Sequence, residues 1–306
     1  MRKILVIGSA NADLVTRVPR CPKPGESLVG HSFQTLPGGK GANQAVAAAR
    51  LGAFTRFAGC VGNDALGEML RGSLSGAGVN LDLLKTHATD ATGTAVIFVE
   101  DSGQNAIVVT PSANYGITPK DIEALEPVMR ECDAVLLQLE IPLETVDAAL
   151  TLAKQLGVVS ILDAGPAQAV SPELLAKAAI VSPNETEAEA ITGIAIDTLD
   201  DADRAAEKLR AMGAREVVLK LGAYGSLYLG ETRVHVPAFS IQPVDTTAAG
   251  DAFTAALAVQ WGCVPIDEAL RFANATGALA ATVAGAQPSM PTRAAVDAFL
   301  FTKGHS

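Results

Sequence analysis

The sequence alternates short apolar runs with longer alanine-rich or amphipathic segments along most of its length. The short runs have the length and composition of buried strands, and the longer segments have the spacing of helices. The strand candidates are 4–7, 135–139, 158–162, 179–181 and 217–221, and the helix candidates are 42–51, 144–156 and 201–212. This alternation predicts an α/β fold, a three-layer sandwich with helices on both faces of a mainly parallel central sheet.

Two segments interrupt the alternation, because 14–36 and 93–110 are rich in β-forming residues and lack a helical pattern. In the second segment, two β-rich runs flank the polar stretch 101–104, which predicts a hairpin. We interpret both segments as strands of a small β lid inserted in the α/β core, with an ordinary edge hairpin as the alternative. Because no clear linker is present, we expect one domain that spans residues 1–306.

Charge and composition exclude several classes of partner. The net charge of -10 at pH 7 argues against nucleic acid and anionic membranes, because both would repel the protein at long range. No apolar run approaches the roughly 20 residues of a membrane span, and the one near the amino terminus is too short for a signal peptide. We therefore expect a cytoplasmic protein. The cysteines, which lie far apart without metal-ligand spacing, are expected to be buried free thiols, and they are Cys21, Cys60, Cys132 and Cys263.

The small residues Ala248, Ala249 and Gly250 come immediately before Asp251 and the apolar helical stretch 254–259. Small side chains leave the first N–H groups of a helix uncovered, and the helix dipole adds positive charge there, so this segment predicts an anion site. A carboxylate beside such a site is a candidate general base. Capping of the helix by Asp251 explains this segment equally well when it is taken alone.

A second glycine-rich segment, 38–41, also runs into a helix. Its glycines permit close approach of a ligand to the backbone, Lys40 supplies a cation, and Asn43 offers both a donor and an acceptor. The segment matches neither the Walker A loop nor the dinucleotide fingerprint. Taken alone, it is a turn with a solvated lysine more often than a binding site.

Polar residues also follow several of the predicted strands. Asn11 and Asp13 are two positions apart, so an extended chain places both side chains on one face, although the pair also suits a turn. Glu140 follows the strand candidate 135–139, at the strand end where α/β folds bind ligands. Asn184 and Glu187 lie on the first turn of a predicted helix, where they can cap the helix or orient water around Mg²⁺.

Taken together, these segments resemble the ribokinase (PfkB) family of sugar kinases along nearly the whole chain. Residues 38–44 and 245–253 are similar to the two signatures of the family, in the right order, and 184–187 is similar to its Asn-x-x-Glu element. The resemblance implies a ribokinase-like fold and ATP-dependent phosphorylation of D-ribose at O5, which gives D-ribose 5-phosphate and ADP. The alternatives are a kinase for 2-deoxyribose, another small sugar or a nucleoside, and a non-catalytic sugar-binding protein.

The resemblance also implies roles for individual residues. Asp251 would be the general base, beside an anion hole formed by the N–H groups of Ala248, Ala249 and Gly250. The substrate-binding residues would be Asn11, Asp13, Gly39, Lys40, Asn43, Glu140 and Asp251. The nucleotide-binding residues would be Asn184, Lys220, Gly222, Gly225, Gly250 and Asn274. Asn184 and Glu187 would hold Mg²⁺ through water. The ligands of an activating monovalent cation, K⁺ or a similar ion, would be Asp245, Thr247, Ala280, Val283, Gly285 and Ser289.

Two positions depart from the pattern of the bacterial members of this family. Lys220 stands where a threonine is common beside the nucleotide, and Asn274 stands where a histidine often meets the adenine. Neither residue belongs to the predicted sugar-binding set, so the departures bear on nucleotide binding alone. The resemblance further implies a homodimer in which the lid sheets of two subunits pair.

Overall fold

A computed structural model describes residues 1–303 and contains the predicted alternation of strands and helices. The strands are β1 (Lys3–Ile7), β2 (Asn11–Val18), β3 (Ser32–Gly38), β4 (Phe54–Val61), β5 (Leu84–Thr86), β6 (Gly93–Glu100), β7 (Asn105–Thr110), β8 (Ala134–Leu137), β9 (Val159–Leu162), β10 (Ile180–Val181), β11 (Glu216–Lys220), β12 (Ser226–Leu229) and β13 (Arg233–Val236). The helices are α1 (Lys40–Arg50), α2 (Ala65–Gly76), α3 (Pro119–Ala124), α4 (Glu126–Met129), α5 (Leu143–Leu156), α6 (Pro172–Leu175), α7 (Glu185–Thr192), α8 (Leu199–Ala211), α9 (Ala249–Gln260), α10 (Ile266–Ala280), α11 (Ala286–Ser289) and α12 (Arg293–Lys303). Short 3-10 turns span Ser112–Gly116 and Gly222–Tyr224.

The central sheet of the described chain has nine strands in the order β13-β12-β11-β10-β9-β8-β1-β4-β5. All the pairs from β11 to β5 are parallel, and the antiparallel strands β12 and β13 complete one edge. The carboxyl ends of the parallel strands therefore meet along one side of the sheet, where α/β folds bind ligands. The predicted, mainly parallel sheet is confirmed.

Helices cover both faces of this sheet, as the alternation in β1 illustrates. Ile4 and Val6 pack into one apolar cluster, whereas Leu5 and Ile7 pack into another on the opposite face. Helices α1, α9 and α10 contribute to the first cluster, and α5 and α8 contribute to the second. A strand that is buried on both faces has to be apolar throughout, which explains its continuous hydrophobic run.

A separate four-stranded sheet forms the lid, in the order β3-β2-β6-β7. The predicted hairpin is present as the antiparallel pair of β6 and β7, and β2 pairs with β6 in parallel. The first lid strand begins at Asn11, three residues earlier than the sequence predicted, so Asn11 and Asp13 belong to the lid sheet. All six residues of β7 are exposed, so this edge of the lid is open in the single chain.

The structure also corrects the expectation that all the cysteines are buried. All four thiols are free, but only Cys60 is buried. Cys21 and Cys132 are partly exposed, and Cys263 is exposed because it lies in the turn between α9 and α10. Within residues 1–303, no helix combines the length and hydropathy needed to cross a bilayer.

Candidate active site

The Asp251 carboxylate lies in the first turn of α9 and is buried, with 4% of the residue exposed. Its Oδ2 accepts a hydrogen bond from Asn43 Nδ2 at 2.9 Å, and its Oδ1 accepts one from Gln44 Nε2 at 3.1 Å. Both donors lie on α1, about two hundred positions away in sequence. The carboxylate is therefore held by side chains of another helix. Burial and the nearby Asp163 carboxylate raise the pKa of Asp251, although Lys40 and the two amide donors oppose the shift.

The predicted sugar-binding residues converge on Asp251 from the lid and from the strand ends. Asn11 Oδ1 accepts a hydrogen bond from Asn114 Nδ2 at 2.7 Å, and Asn114 Oδ1 accepts one from the Ala10 N–H. Burial, followed by the charges of Glu140 and Asp251, raises the pKa of Asp13 to about 7. Three carboxylates therefore border one polar site, which suits a ligand that brings several hydroxyl groups.

Glu140 and the glycine-rich segment complete this side of the site. Glu140 Oε2 accepts hydrogen bonds from Ser9 Oγ and from the Lys40 N–H, so the loops after β1 and β8 and the start of α1 are joined. Gly39 has φ 87°, and a Cβ atom there would lie 2.5 Å from the Asn11 N atom. A glycine is thus required at the point where α1 meets the lid strand β2.

Lys40 faces both halves of the site. Its backbone N–H donates to Glu140, whereas its ammonium lies 3.9 Å from Glu187 Oε1. Burial alone would lower the pKa of Lys40, but the surrounding carboxylates outweigh it and keep the pKa above its ordinary value. The ammonium therefore remains charged between the predicted sugar and nucleotide sites.

The predicted nucleotide-binding residues line a cavity of about 640 Å³ next to α9. Those in its wall are Lys220, Gly222, Gly225, Gly250 and Asn274, while Asn184 pairs with Lys220 at its edge. Asn274 Nδ2 donates to the carbonyl groups of Val236 and Pro237, so this side chain also holds the segment after β13. A cavity of this size, which adjoins a helix start, fits a nucleotide with its phosphates toward α9.

The start of α9 differs in one respect from the predicted anion hole. Ala248 adopts a left-handed conformation with φ 61°, and this turn exposes the helix start. The Ala249 N–H donates to the Thr246 carbonyl at 3.2 Å, so it is partly engaged in the turn. The N–H groups of Ala248 and Gly250 have no acceptor within the described residues. These two groups, rather than all three, are free to meet an anion.

Asn184 and Glu187 form a reciprocal capping box at the start of α7. Asn184 Oδ1 accepts from the Glu187 N–H, and Glu187 Oε2 accepts from the Asn184 N–H, both at 2.8 Å. Glu187 Oε1 is left facing Lys40 and can accept a hydrogen bond from water. In residues 1–303, no three carboxylate, histidine or cysteine side chains group as direct metal ligands. The remaining Oε1 acceptor of Glu187 is compatible with a water-mediated contact to Mg²⁺ held by nucleotide phosphates.

The predicted monovalent-cation ligands come from the loop before α9 and from the segment that runs from the end of α10 to the end of α11. Asp245 accepts hydrogen bonds from the N–H groups of Thr247 and Gly285, both at 2.9 Å. Burial opposes ionisation, but these bonds hold the pKa of Asp245 below its ordinary value. The Ala280 carbonyl accepts from the Val283 N–H, and Ser289 Oγ donates to the Ala286 carbonyl. An ionised carboxylate beside backbone carbonyls fits a K⁺-like ion, although Asp245, the Ala280 carbonyl and the Ser289 hydroxyl already have local partners.

A buried network behind Asp251 was missed by the sequence analysis. Asp163, which directly follows β9, accepts hydrogen bonds from Gln44 Nε2 at 2.9 Å and from Thr254 Oγ1 at 3.1 Å. Its other oxygen accepts from Lys220 Nζ at 2.7 Å. Gln44 is oriented in turn by Gln138, which donates to its Oε1. The position of Asp163 and Gln138 near strand ends was the available signal, whereas Asn114 carried no local signal.

A buried carboxylate, a helix start with free N–H groups and an adjoining nucleotide-sized cavity suit phosphoryl transfer to a hydroxyl group. The model of the "pfkB family carbohydrate kinase" matches residues 1–293, and the chain belongs to this family. A ribokinase of Haemophilus influenzae is 42% identical over 301 residues, which cover 96% of this chain and 97% of the relative. A deoxyribokinase of Salmonella typhi is 36% identical over 294 residues, with 94% and 95% covered. The structure of Arabidopsis thaliana ribokinase complexed with ribose and ATP superposes with a TM-score of 0.90 at 38% identity, and it covers 98% of this chain and 99% of that one.

Proposed function

We propose that this protein transfers the γ-phosphoryl group of ATP to O5 of D-ribose and releases D-ribose 5-phosphate and ADP. The observation that carries the proposal is the position of Asp251. Its carboxylate is fixed by Asn43 and Gln44, it faces the polar lid side, and it lies one residue from the free N–H group of Gly250. The similarity to ribokinases along the chain supports ribose as the acceptor.

In the proposed reaction, Asp251 accepts the proton of the O5 hydroxyl as O5 attacks the γ-phosphorus. The bond between this phosphorus and the β,γ-bridging oxygen breaks, and ADP departs with the electron pair. The raised pKa of Asp251 brings its basicity closer to neutral pH, where a general base is most effective. The N–H groups of Ala248 and Gly250, together with the dipole of α9, stabilise the charge on the transferring group.

On the sugar side, the polar groups match a small polyol without a phosphate. Asn11 and Asp13 on the lid, and Glu140 after β8, would offer hydrogen-bonding groups to the sugar hydroxyls, and Gly39 would let the sugar approach the backbone. Asn43 Oδ1 is buried and has no partner within residues 1–303, so it offers an acceptor for a sugar hydroxyl. Lys40 is the one cation that we assign to the sugar side. A sugar that already carries a phosphate group would therefore find no further cation to bind that group.

The nucleotide would occupy the 640 Å³ cavity, with its phosphates at the start of α9. Asn184 and Glu187 would contact the accompanying Mg²⁺ through water, and the metal supplies positive charge to the phosphate oxygens when it is bound. Asp245 and the nearby carbonyl groups would hold a monovalent cation that stabilises the loop before α9. Besides Asp245, the ligands that we propose for the monovalent cation are Thr247, Ala280, Val283, Gly285 and Ser289.

We also propose that residues 1–306 form one kinase domain with the lid inserted in it. Residues 304–306 lie outside the described part of the chain. The exposed apolar residues Ile107, Val108 and Val109 on β7 support pairing of two lids in a homodimer. Because the lid carries Asn11 and Asp13, its closure over the sugar would exclude water from the reaction.

The proposed use of ATP as the phosphoryl donor is consistent with a cytoplasmic location of the protein.

A substrate panel tests this function directly. ADP production should be measured with ribose, 2-deoxyribose, fructose, fructose 6-phosphate and adenosine, each with and without K⁺. We expect ribose to give the highest kcat/KM. A preference for 2-deoxyribose would instead support the deoxyribokinase alternative, to which the Salmonella typhi relative points. Sugar binding without ADP production from any acceptor would support a non-catalytic sugar-binding protein.

A further inference from the structure

Lys220 ends β11 at the junction of the nucleotide cavity and the catalytic network. Its N–H donates to the Pro183 carbonyl at 2.9 Å, which fixes its backbone beside the start of α7. Its side chain lines the cavity, and the whole residue is 8% exposed. A Cβ atom built on Gly250 would lie 3.7 Å from Lys220 Nζ. The ammonium therefore lies next to the free N–H group at the start of α9.

The hydrogen bonds of this ammonium are incomplete. Of the three donors of a lysine ammonium, one is used by Asp163 Oδ1 at 2.7 Å. Glu187 Oε2, at 3.7 Å, attracts the charge but lies beyond hydrogen-bond distance. Within residues 1–303, no further acceptor is in reach of Lys220 Nζ. A buried ammonium with unused donors calls for an additional acceptor, because unpaired buried donors are costly.

Asp163 holds this ammonium in place through one of its carboxylate oxygens. One of its oxygens is occupied by Gln44 and Thr254, which leaves the other for Lys220. The ion pair with Asp163, at 2.7 Å, thus holds the ammonium against the cavity wall that contains Gly250.

We propose that Lys220 is a catalytic residue whose ammonium binds the terminal phosphoryl group of the nucleotide, and that Asp163 positions it. This inference rests on the proposed kinase function and deepens it. The acceptor that the ammonium lacks is a phosphate oxygen, which the cavity and the start of α9 bring within its reach. The charge that builds up during phosphoryl transfer is then met by Lys220 together with the neighbouring Gly250 N–H.

The test compares Lys220→Met with Lys154→Met as a matched control. Lys154 lies on α5 near the amino-terminal end of β9, away from the site, and its ammonium donates to the Ala176 carbonyl. We expect Lys220→Met to lower kcat by about 100-fold or more, while ribose affinity stays within about threefold. Affinity for a non-hydrolysable ATP analogue should fall by about tenfold, and affinity for AMP should not change. Lys154→Met should match the unmodified protein in every measurement.

Because Lys220→Met leaves the buried Asp163 carboxylate without its cation, the double variant Lys220→Met with Asp163→Asn is also required. The double variant removes both charges together. It therefore distinguishes a role of Lys220 in binding phosphate from a role as the counter-ion of Asp163. If Lys220 binds phosphate, the double variant binds ribose and still has a kcat about 100-fold below normal. A folded double variant with kcat within threefold of normal would overturn the inference, because Lys220 would then be a counter-ion only. If the unmodified protein forms no ADP with any sugar, the proposed function fails, whereas the result for the double variant overturns the role of Lys220 alone.

Discussion

Gln44 Nε2 donates to both Asp163 Oδ2 and Asp251 Oδ1, at 2.9 and 3.1 Å, and thereby links two buried carboxylates. One amide thus fixes the proposed base and the residue that holds Lys220. Gln44 is fully buried, and its own oxygen accepts from Gln138. Its position is therefore determined by the core rather than by the ligand, so the site is ordered before either substrate binds.

Replacing Gln44 by leucine should reduce turnover without abolishing sugar binding. The change removes one donor to Asp251 and one to Asp163, so the base loses its fixed orientation. We expect kcat to fall by about 10- to 100-fold, with a smaller change in the KM for ribose. Steady-state kinetics provide the measurement. Gln260→Leu, at the opposite end of α9, is the control, and an equal loss of kcat in both variants would contradict a specific role for Gln44.

Asp13 should make the ligand-free protein less stable as the pH rises. Its pKa is about 7 in the folded state against an ordinary value of 3.8, so the folded state binds the proton more tightly than the unfolded state does. The stabilising contribution is complete below the unfolded pKa and is lost as the pH rises through the folded value of about 7.

The variant Asp13→Asn should remove this dependence. We expect it to raise the unfolding free energy of the ligand-free protein at pH 8 by on the order of 1 kcal/mol, with little change at pH 4. It should weaken ribose binding at the same time, because the proposed acceptor for sugar hydroxyls is lost. Urea unfolding at the two pH values, together with calorimetric titration of ribose, gives the test. A loss of stability at pH 8 would show that burial does not raise the pKa of Asp13.

Gly39→Ala should impair sugar binding through the backbone. A Cβ atom at this position would meet the Asn11 N atom at 2.5 Å, so α1 or β2 has to move. Gly52→Ala is the matched control, because Gly52 has φ +90° but nothing within 4 Å of the added carbon. We expect Gly52→Ala to lose about 1 kcal/mol of stability from the unfavourable φ, Gly39→Ala to lose more because the backbone clash is added, and only Gly39→Ala to lose ribose affinity. Equal ribose affinity in the two variants would contradict the proposed role of this contact.

Activation by K⁺ should depend on Asp245. Its carboxylate is the one anionic group among the proposed cation ligands, so Asp245→Asn should weaken attraction for a monovalent ion. We expect the ratio of kcat with K⁺ to kcat with a bulky organic cation to exceed one in the unmodified protein and to approach one in the variant. If this kcat ratio exceeds one and Asp245→Asn leaves it unchanged, K⁺ binds elsewhere. If the ratio is one in both proteins, K⁺ does not activate the enzyme.

The sequence contained most of the fold because the strands of the central sheet are buried on both faces and therefore apolar throughout. The predicted strands of this sheet did not include β4, β5, β12 and β13, since short strands and runs interrupted by polar residues or glycine give a weaker signal. Residues next to glycine-rich helix starts, such as Asp251 and Lys40, could be predicted because local backbone chemistry marks them. Asp163 carried only the weak signal of a strand end, and its contact with Gln44, 119 positions away, follows no spacing rule. Asn114 carried no local signal, and its partner Asn11 lies 103 positions away.

The most direct test of the account is the activity of Asp251→Asn, since every other assignment is arranged around this base. The asparagine keeps the size of the side chain and can still contact Asn43 and Gln44, but it does not accept the O5 proton. ADP production should fall by about 10²- to 10⁴-fold, while calorimetry should show ribose binding within a few-fold of the unmodified protein. Near-normal turnover in a folded Asp251→Asn variant would contradict the general-base assignment and the mechanism built on it.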